Sequence, residues 1–295
     1  MAADKGFFPV AGVHPAIFEE GNMRKSARFS SAAAALGFAA AMAVSASGAV
    51  AGPTWDGIKS EVYGSRAILD GSAVIKLAAP YRPDDVMAVP LSADVQLPKG
   101  QTIKTVSFIV DENPSPVAAK FELGGAREHA ALTTYIRLNQ QSDVRVVVET
   151  TGGELYMSEQ LVKFAGGQAS CSAPPMGSPE EIAANMGKMT LALQGPRAVA
   201  SNTVQRAEFE LNHPNHTGMV LDQITLFYIP LMMVEHIEVK QGDDVVLTMA
   251  GSITLKQNPK FAFDYKTNGA TEMTVTARDT SGAVFKRTFP IGPGS

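Results

Sequence analysis

The chain has 295 residues, of which 45% are hydrophobic and 18% charged, with a formal net charge of −4. That composition is ordinary for a globular protein of one large or two medium domains. The mild negative balance leaves no electrostatic footprint for nucleic acid, and beyond the N-terminus no stretch is long and apolar enough to span a bilayer.

The first element is an address. Arg24, Lys25 and Arg28 form a basic region, residues 32–44 an apolar one, and Ala49-Val50-Ala51 a small-x-small cleavage site before Gly52. Residues 1–22 carry acidic side chains and fit no such signal. Met23 is therefore read as the start, residues 1–51 as an extension plus signal peptide cleaved after Ala51, and the mature protein as periplasmic. A short helix is predicted over GIKSEVYGSR (57–66).

Strand signals follow. VMAVPLSADVQL (86–97), TIKTVSFIVDE (102–112), ALTTYIRLN (131–139) and DVRVVVETTGGELYMSEQLVKF (143–164) are rich in Val, Ile, Thr and aromatics. Several alternate with period two, as half-buried strands do. FAGGQASCSAPPMGS (164–178) then reads as a loop. It leads to a helix in SPEEIAANMGKM (178–189), with Ser178 as N-cap, Pro179 at the first turn and Glu181 three residues after the cap. RAEFEL (206–211), ITLFYIPLMMVEHIEVKQGDDVVLTMAG (224–251) and TEMTVTARDTSGAVFKRTFPI (271–291) return to strand. Thr151-Gly152-Gly153 and Ser281-Gly282 supply the positive-φ residues of hairpin turns.

The two halves echo each other. VVVETTGGELY (146–156) and VTARDTSGAVF (275–285) are both strand, glycine turn, strand, and each half carries an Asn-Pro ahead of alternating apolar residues, in ENPSPVAAKFEL (112–123) and QNPKFAFDY (257–265). The fold class is all-β: two antiparallel β-sandwich domains, 52–165 and 205–295, joined over 166–204 by a linker with a short helix.

The sole cysteine, Cys171, lies at the start of that linker. Exported proteins use cysteines in pairs, so a single one is inert, bridged to another molecule, or kept reactive. Gly166, Gly167, Ser170 and Ser172 surround it with no apolar period. An exposed thiol on a mobile loop is expected. With no cationic neighbour in sequence, its pKa is expected near ~8.5, leaving a few per cent thiolate at pH 7. The seven residues from Phe164 to Cys171 reach roughly 23–25 Å when fully extended.

Residues 67–171 resemble SoxY, the thiol carrier subunit of bacterial sulfur oxidation. They do so in VIKLAAP (74–80), FIVDENPSPVAAKFEL (108–123) and the run 133–167 that leads into the cysteine. Residues 206–290 resemble its partner SoxZ, through LNHPNHTG (211–218), YIPLMMVEHIEVKQGDDVV (228–246), ITLKQNPKFAFDY (253–265) and TVTARDTSGAVFKRT (274–288). The resemblance implies Ig-like sandwiches that pack on each other, and a cysteine on a glycine-rich arm that carries sulfur intermediates, such as those from thiosulfate, between periplasmic enzymes. One chain joining both halves looks most like the class associated with periplasmic quinoprotein (PQQ) alcohol dehydrogenases. No cofactor of its own is implied, and no base beside the thiol marks it as an enzyme.

Two departures bear on this reading. The family's carriers end in Gly-Gly-Cys-Gly-Gly, whereas here Gly166-Gly167 stand four residues ahead of Cys171 and a second domain follows, so the arm is tethered at both ends. Where the second-half pattern has Met-Glu after His-Pro, this chain has Asn215-His216. That change creates His213-x-x-His216-x-x-Met219, a ligand set suited to copper, although His213 at a strand end also suits a plain hydrogen bond to a loop. Asp84, Asp85, Asp111 and Glu112 read as solvated. Three classes stay open: a thiol carrier on Cys171, a non-covalent adaptor or chaperone for a quinoprotein dehydrogenase system, and a copper-binding protein using His213, His216 and Met219.

Overall fold

The computed structural model describes residues 53–164, 166, 169–195 and 202–292; the segment 1–51 read as extension plus signal peptide, and Gly167, lie outside the described residues. Helix α1 (Pro53–Tyr63) is followed by β1 (Ile68–Asp70), β2 (Ile75–Ala78), β3 (Val89–Gln96), β4 (Ile103–Val110), β5 (Val117–Leu123), β6 (His129–Ile136), β7 (Ser142–Thr150) and β8 (Leu155–Val162). A 3-10 turn (Ser170–Ser172) and helix α2 (Pro179–Asn185) come next. The chain ends in β9 (Met189–Gln194), β10 (Val204–Leu211), β11 (Val234–Gln241), β12 (Asp244–Gly251), β13 (Lys260–Lys266), β14 (Glu272–Asp279) and β15 (Val284–Pro290).

Local chemistry accounts for most of these elements. In β3 every second residue, Val89, Leu91, Ala93 and Val95, is buried, so one face meets the core. Most of β7 is buried on both faces, because α1 covers the outside of its sheet: Trp55 and Ile58 pack with Ile109, Val147 and Leu155. At α2, Ser178 accepts a hydrogen bond from the Glu181 N–H while the Glu181 carboxylate accepts one from the Ser178 N–H, the predicted capping box. Gly153 (φ 92°) and Gly282 (φ 87°) make the predicted hairpin turns.

The architecture is all-β, as predicted, with two sandwich halves and short helices. Periodicity did not reveal that the halves share their sheets. One sheet runs β1-β8-β7-β4-β5-β12-β11-β14-β15 and the other β2-β3-β6-β13-β10-β9. Counted outward from the centre of each sheet, β5-β4-β7-β8 on one side mirrors β12-β11-β14-β15 on the other, and β6-β3-β2 mirrors β13-β10-β9. Each strand from β2 to β8 thus corresponds to the strand seven places later, and the halves meet around a pseudo-twofold axis. The junction is antiparallel at both central pairs, Phe121 opposite Met249 and Thr133 opposite Ala262.

The core crosses that junction. Phe108 meets Phe121 at 5.9 Å between ring centroids, Phe121 meets Phe261 at 5.5 Å, and Phe209 and Phe263 continue the cluster. Each fully buried ring contributes about 1.5–3 kcal/mol by leaving water, so the halves are held by shared apolar burial as well as by backbone pairing.

Four sequence readings change. The two β-hairpin turns occupy equivalent places, but the two Asn-Pro motifs do not: Asn113-Pro114 joins β4 to β5, whereas Asn258-Pro259 joins β12 to β13. The stretch read as linker, 166–204, contains β9, which pairs with β10 and answers β2. Residues 224–233 are a loop rather than strand, with Leu226 at φ 58°, a left-handed conformation that breaks extended pairing. Finally, Asp111 is not solvated. It is buried against the equally buried Arg145, which also pairs with Glu159 and stacks 4.4 Å from the Trp55 ring.

Candidate functional site

The surroundings of Cys171 begin with its own turn. Ala, Ser and Gly give the segment no side chains to bury, so backbone groups hold it. The Ser172 N–H and hydroxyl both donate to the Ala169 carbonyl, at 3.0 Å each. The Cys171 N–H donates to Asn139 Oδ1 at 3.2 Å, just past the end of β6 in the first half. The Thr217 hydroxyl, from the second half, donates to the Cys171 carbonyl at 2.5 Å. Further on, Met176 and Gln257 exchange a pair of 2.8 Å bonds. The arm is therefore pinned to both halves where they meet.

Cys171 is 1% exposed. The expectation of an exposed thiol on a free loop is thus corrected. Composition signalled a segment with little of its own to bury, but the body supplies polar groups that satisfy its backbone and close over it. Of the other predicted arm residues, Gly166 has φ 95°, a conformation that favours glycine, and Ser170 is buried beside the thiol while Ser172 is half-buried.

A cation also acts on this thiol, which the sequence reading did not anticipate. Arg137 is buried at the end of β6, and its guanidinium donates to the carbonyls of Pro214, Asn215, Ile253 and Leu255 at 2.8–3.4 Å. Among the described residues no carboxylate pairs with it. Burial pulls its pKa down to about 10, and the Cys171 side chain acts in the other direction. Burial pushes the Cys171 thiol above its ordinary value, opposed by the Arg137 guanidinium and the Ser170 hydroxyl. The resting thiol is protonated at neutral pH, with a buried positive charge at hand for any anionic form.

Arg137 is set by a network reaching across both halves. Asn113 donates to the Arg137 carbonyl at 2.7 Å and accepts the Asn139 N–H at 3.0 Å, so one side chain positions both the cation and the group that holds the arm. Arg137, Asn139, Asn113 and Thr217 lie tens of residues from Cys171 in sequence, and no local signal joins them to it. The one legible hint was an arginine in the apolar run of TTYIRL.

The copper candidates do not assemble as a ligand set. His213 spends both ring nitrogens: Nε2 lies 3.2 Å from Asp279 and Nδ1 accepts the Asn215 N–H at 3.0 Å. Asn215 sits at φ 48° and is fully buried. Its side chain donates to the Ser252 and Leu255 carbonyls and accepts the Val234 N–H. The Asn215-His216 departure thus has a structural use. His216 and Met219 are left without their first partner, and among the described residues no group of three His, Cys, Asp or Glu side chains is placed to hold a metal ion. Burial, with His213 and Arg137 adding to it, lowers the pKa of His216.

Beside the arm lies a groove of about 560 Å³. Pro175, Ile182 and Met186 form one wall, and Phe227, Ile229 and Met232 the other.

Residues 59–168 match the family described as sulfur oxidation protein SoxY, and residues 193–290 the family described as sulphur oxidation protein SoxZ. No curated protein matches the chain. Among solved structures, the sulfur carrier protein SoxY from Chlorobium limicola f thiosulfatophilum is 24% identical, covering 38% of this chain and 91% of its own, with a TM-score of 0.33. A β-glycosidase from Bacteroides vulgatus is 9% identical over 74% of this chain and 24% of its own, with a TM-score of 0.21. The two family matches flank residues 169–192, which hold Cys171 and α2, and the matched halves pack on each other through β5–β12 and β6–β13. The chain belongs to the SoxY and SoxZ families of sulfur oxidation, as a fused SoxY–SoxZ-like protein.

Proposed function

We propose that this protein is a periplasmic sulfur carrier that holds its cargo covalently on Cys171 and presents it to partner enzymes, without catalysing a reaction itself. The observation that carries the reading is one thiol, the only one in the chain, held at the junction of a SoxY and a SoxZ half by hydrogen bonds between its own backbone and the Asn139 and Thr217 side chains. Such a holding is reversible: release exchanges two side-chain hydrogen bonds at Cys171 for water.

Loading requires the thiolate, so release and deprotonation go together. The thiolate attacks the outer sulfur of a donor persulfide; the new S–S bond forms as the donor's sulfur–sulfur bond breaks, and the donor leaves as thiolate. No electron is gained or lost overall. The loaded species, once ionised, is an anion for which Arg137 supplies buried positive charge on re-docking. A link to quinoprotein dehydrogenase metabolism belongs to the same proposal and rests on the fusion of the two halves.

The test is the intact mass of protein purified from periplasm without reductant, beside Cys171→Ser. An increment of one or more sulfur atoms, removed by reductant and absent from the variant, supports carriage. A bare thiol, with the variant still supporting its host pathway, sinks it and leaves a non-covalent adaptor, a reading that the near-complete burial of Cys171 favours.

A further inference from the structure

The loop between β10 and β11 spends apolar side chains on solvent. Ile224 is 92% exposed, Leu226 69%, Phe227 76% and Tyr228 66%. Scattered exposed hydrophobes are normal, but a contiguous run beside an apolar groove marks a contact surface.

The loop is built to hold this shape. Asp222 Oδ1 accepts the N–H groups of Ile224 and Thr225 at 2.9 and 2.8 Å. The Asp222 N–H donates to the Phe227 carbonyl and the Leu226 N–H to the Asp222 carbonyl, both at 2.9 Å. Leu221 bridges Tyr228 and His216 bridges Met232. Leu226 is held at φ 58°, in the left-handed region that a leucine seldom adopts. A loop strained to present apolar groups outward has already met part of the ordering cost of binding.

Charge decides the occupant. From Asn212 through Val234 the one formal charge is Asp222, which lines the groove, with no Lys or Arg, and α2, whose Ile182 and C-cap Met186 form the opposite wall, carries the exposed Glu180 and Glu181 and no basic residue. Lys188 points its ammonium at Asn185. An anionic lipid surface is repelled by this rim, and a second copy related by a twofold sets the same carboxylates against themselves. A protein with an apolar patch ringed by lysine and arginine matches both parts.

We propose that this loop and groove dock such a basic-rimmed partner protein and bring it to the thiol arm. The groove is continuous with the arm: Pro175, four residues after Cys171, lines one wall, and Thr217, next to the groove residue His216, holds the Cys171 carbonyl. That the partner is an enzyme loading or unloading Cys171 rests on the carrier reading; the surface itself does not.

The test titrates the full chain with two labelled amphipathic peptides, one alternating Leu with Lys and one Leu with Glu, by fluorescence anisotropy. The Leu/Lys peptide is expected to bind, to weaken with salt, and to lose roughly tenfold or more in affinity in Phe227→Ser, as removal of an aromatic anchor does. Ile224→Ser is a second variant at an exposed site that leaves the fold intact. Cys171→Ser is expected to bind like the parent, which separates failure of this surface from failure of the carrier. Equal binding of the Leu/Glu peptide, or binding unchanged in both loop variants, overturns the proposal. So does co-sedimentation with phosphatidylglycerol vesicles, or a dimer in analytical ultracentrifugation, if either is lost in Phe227→Ser.

Discussion

Thr217→Val tests whether the arm is a latch. The Thr217 hydroxyl donates to the Cys171 carbonyl at 2.5 Å, and both residues are buried. Valine keeps the shape and removes the donor, leaving a buried carbonyl short of its partner, at a cost of about 1–3 kcal/mol. A thiol 1% exposed reacts only after the arm opens, so with fast reclosing the modification rate follows the open population. A loss of 1–2 kcal/mol from the docked state raises that rate by roughly 5–30-fold. The assay is the rate of reaction with an aromatic disulfide reagent, measured across low urea in parent and variant. Local release predicts a rate that rises only weakly with urea, far less than global unfolding does. An unchanged rate in Thr217→Val, or a urea dependence matching global unfolding in both proteins, refutes the latch.

Other consequences are as definite. Arg145→Ala leaves Asp111 buried without its guanidinium, and urea unfolding is expected to show a loss of about 3–5 kcal/mol. Gly124→Ala sets a Cβ onto the Val245 carbonyl oxygen where β5 leaves the junction, and a lower thermal midpoint is expected although Gly124 has no positive φ. Burial, against the Asp279 bond, holds the His213 pKa below its ordinary value, so folding binds fewer protons there than the unfolded chain. Its stability contribution is present above pH ~6.5 and lost as pH falls through the lowered folded value. Asp279, raised by burial but lowered further by hydrogen bonds from Ser281, His213 and the backbone, adds loss of the same sign in stronger acid. His213→Asn is expected to flatten the first limb of a urea midpoint-against-pH curve; an unaltered limb would assign it to His216, whose pKa is lowered as well.

Much of this molecule was legible from residue order. Alternation in VMAVPLSADVQL and the glycine turns at Gly153 and Gly282 specified strands and hairpins, because they are local: period, β-branching and positive φ act within a few residues. The capping box at Ser178 and Glu181 is equally local. The lone cysteine, too, was visible as the chemical centre of interest, because its type and its solitary count need no coordinates.

What only the tertiary structure decided concerns groups brought together from afar. Two sandwiches side by side and two sandwiches sharing both sheets have the same strand patterns; edge pairing of β5 with β12 and β6 with β13 is settled by long-range packing of Phe121 and Phe261. The burial of Cys171 is set by the same kind of long-range contact. A segment of Gly, Ala, Ser and Pro carries no apolar period, and its burial depends on Asn139 and Thr217 supplying hydrogen bonds from 32 and 46 residues away. Sequence specified which atom can do chemistry, since reactivity belongs to the side chain. The fold decided whether that atom is open or closed, since access belongs to everything packed around it.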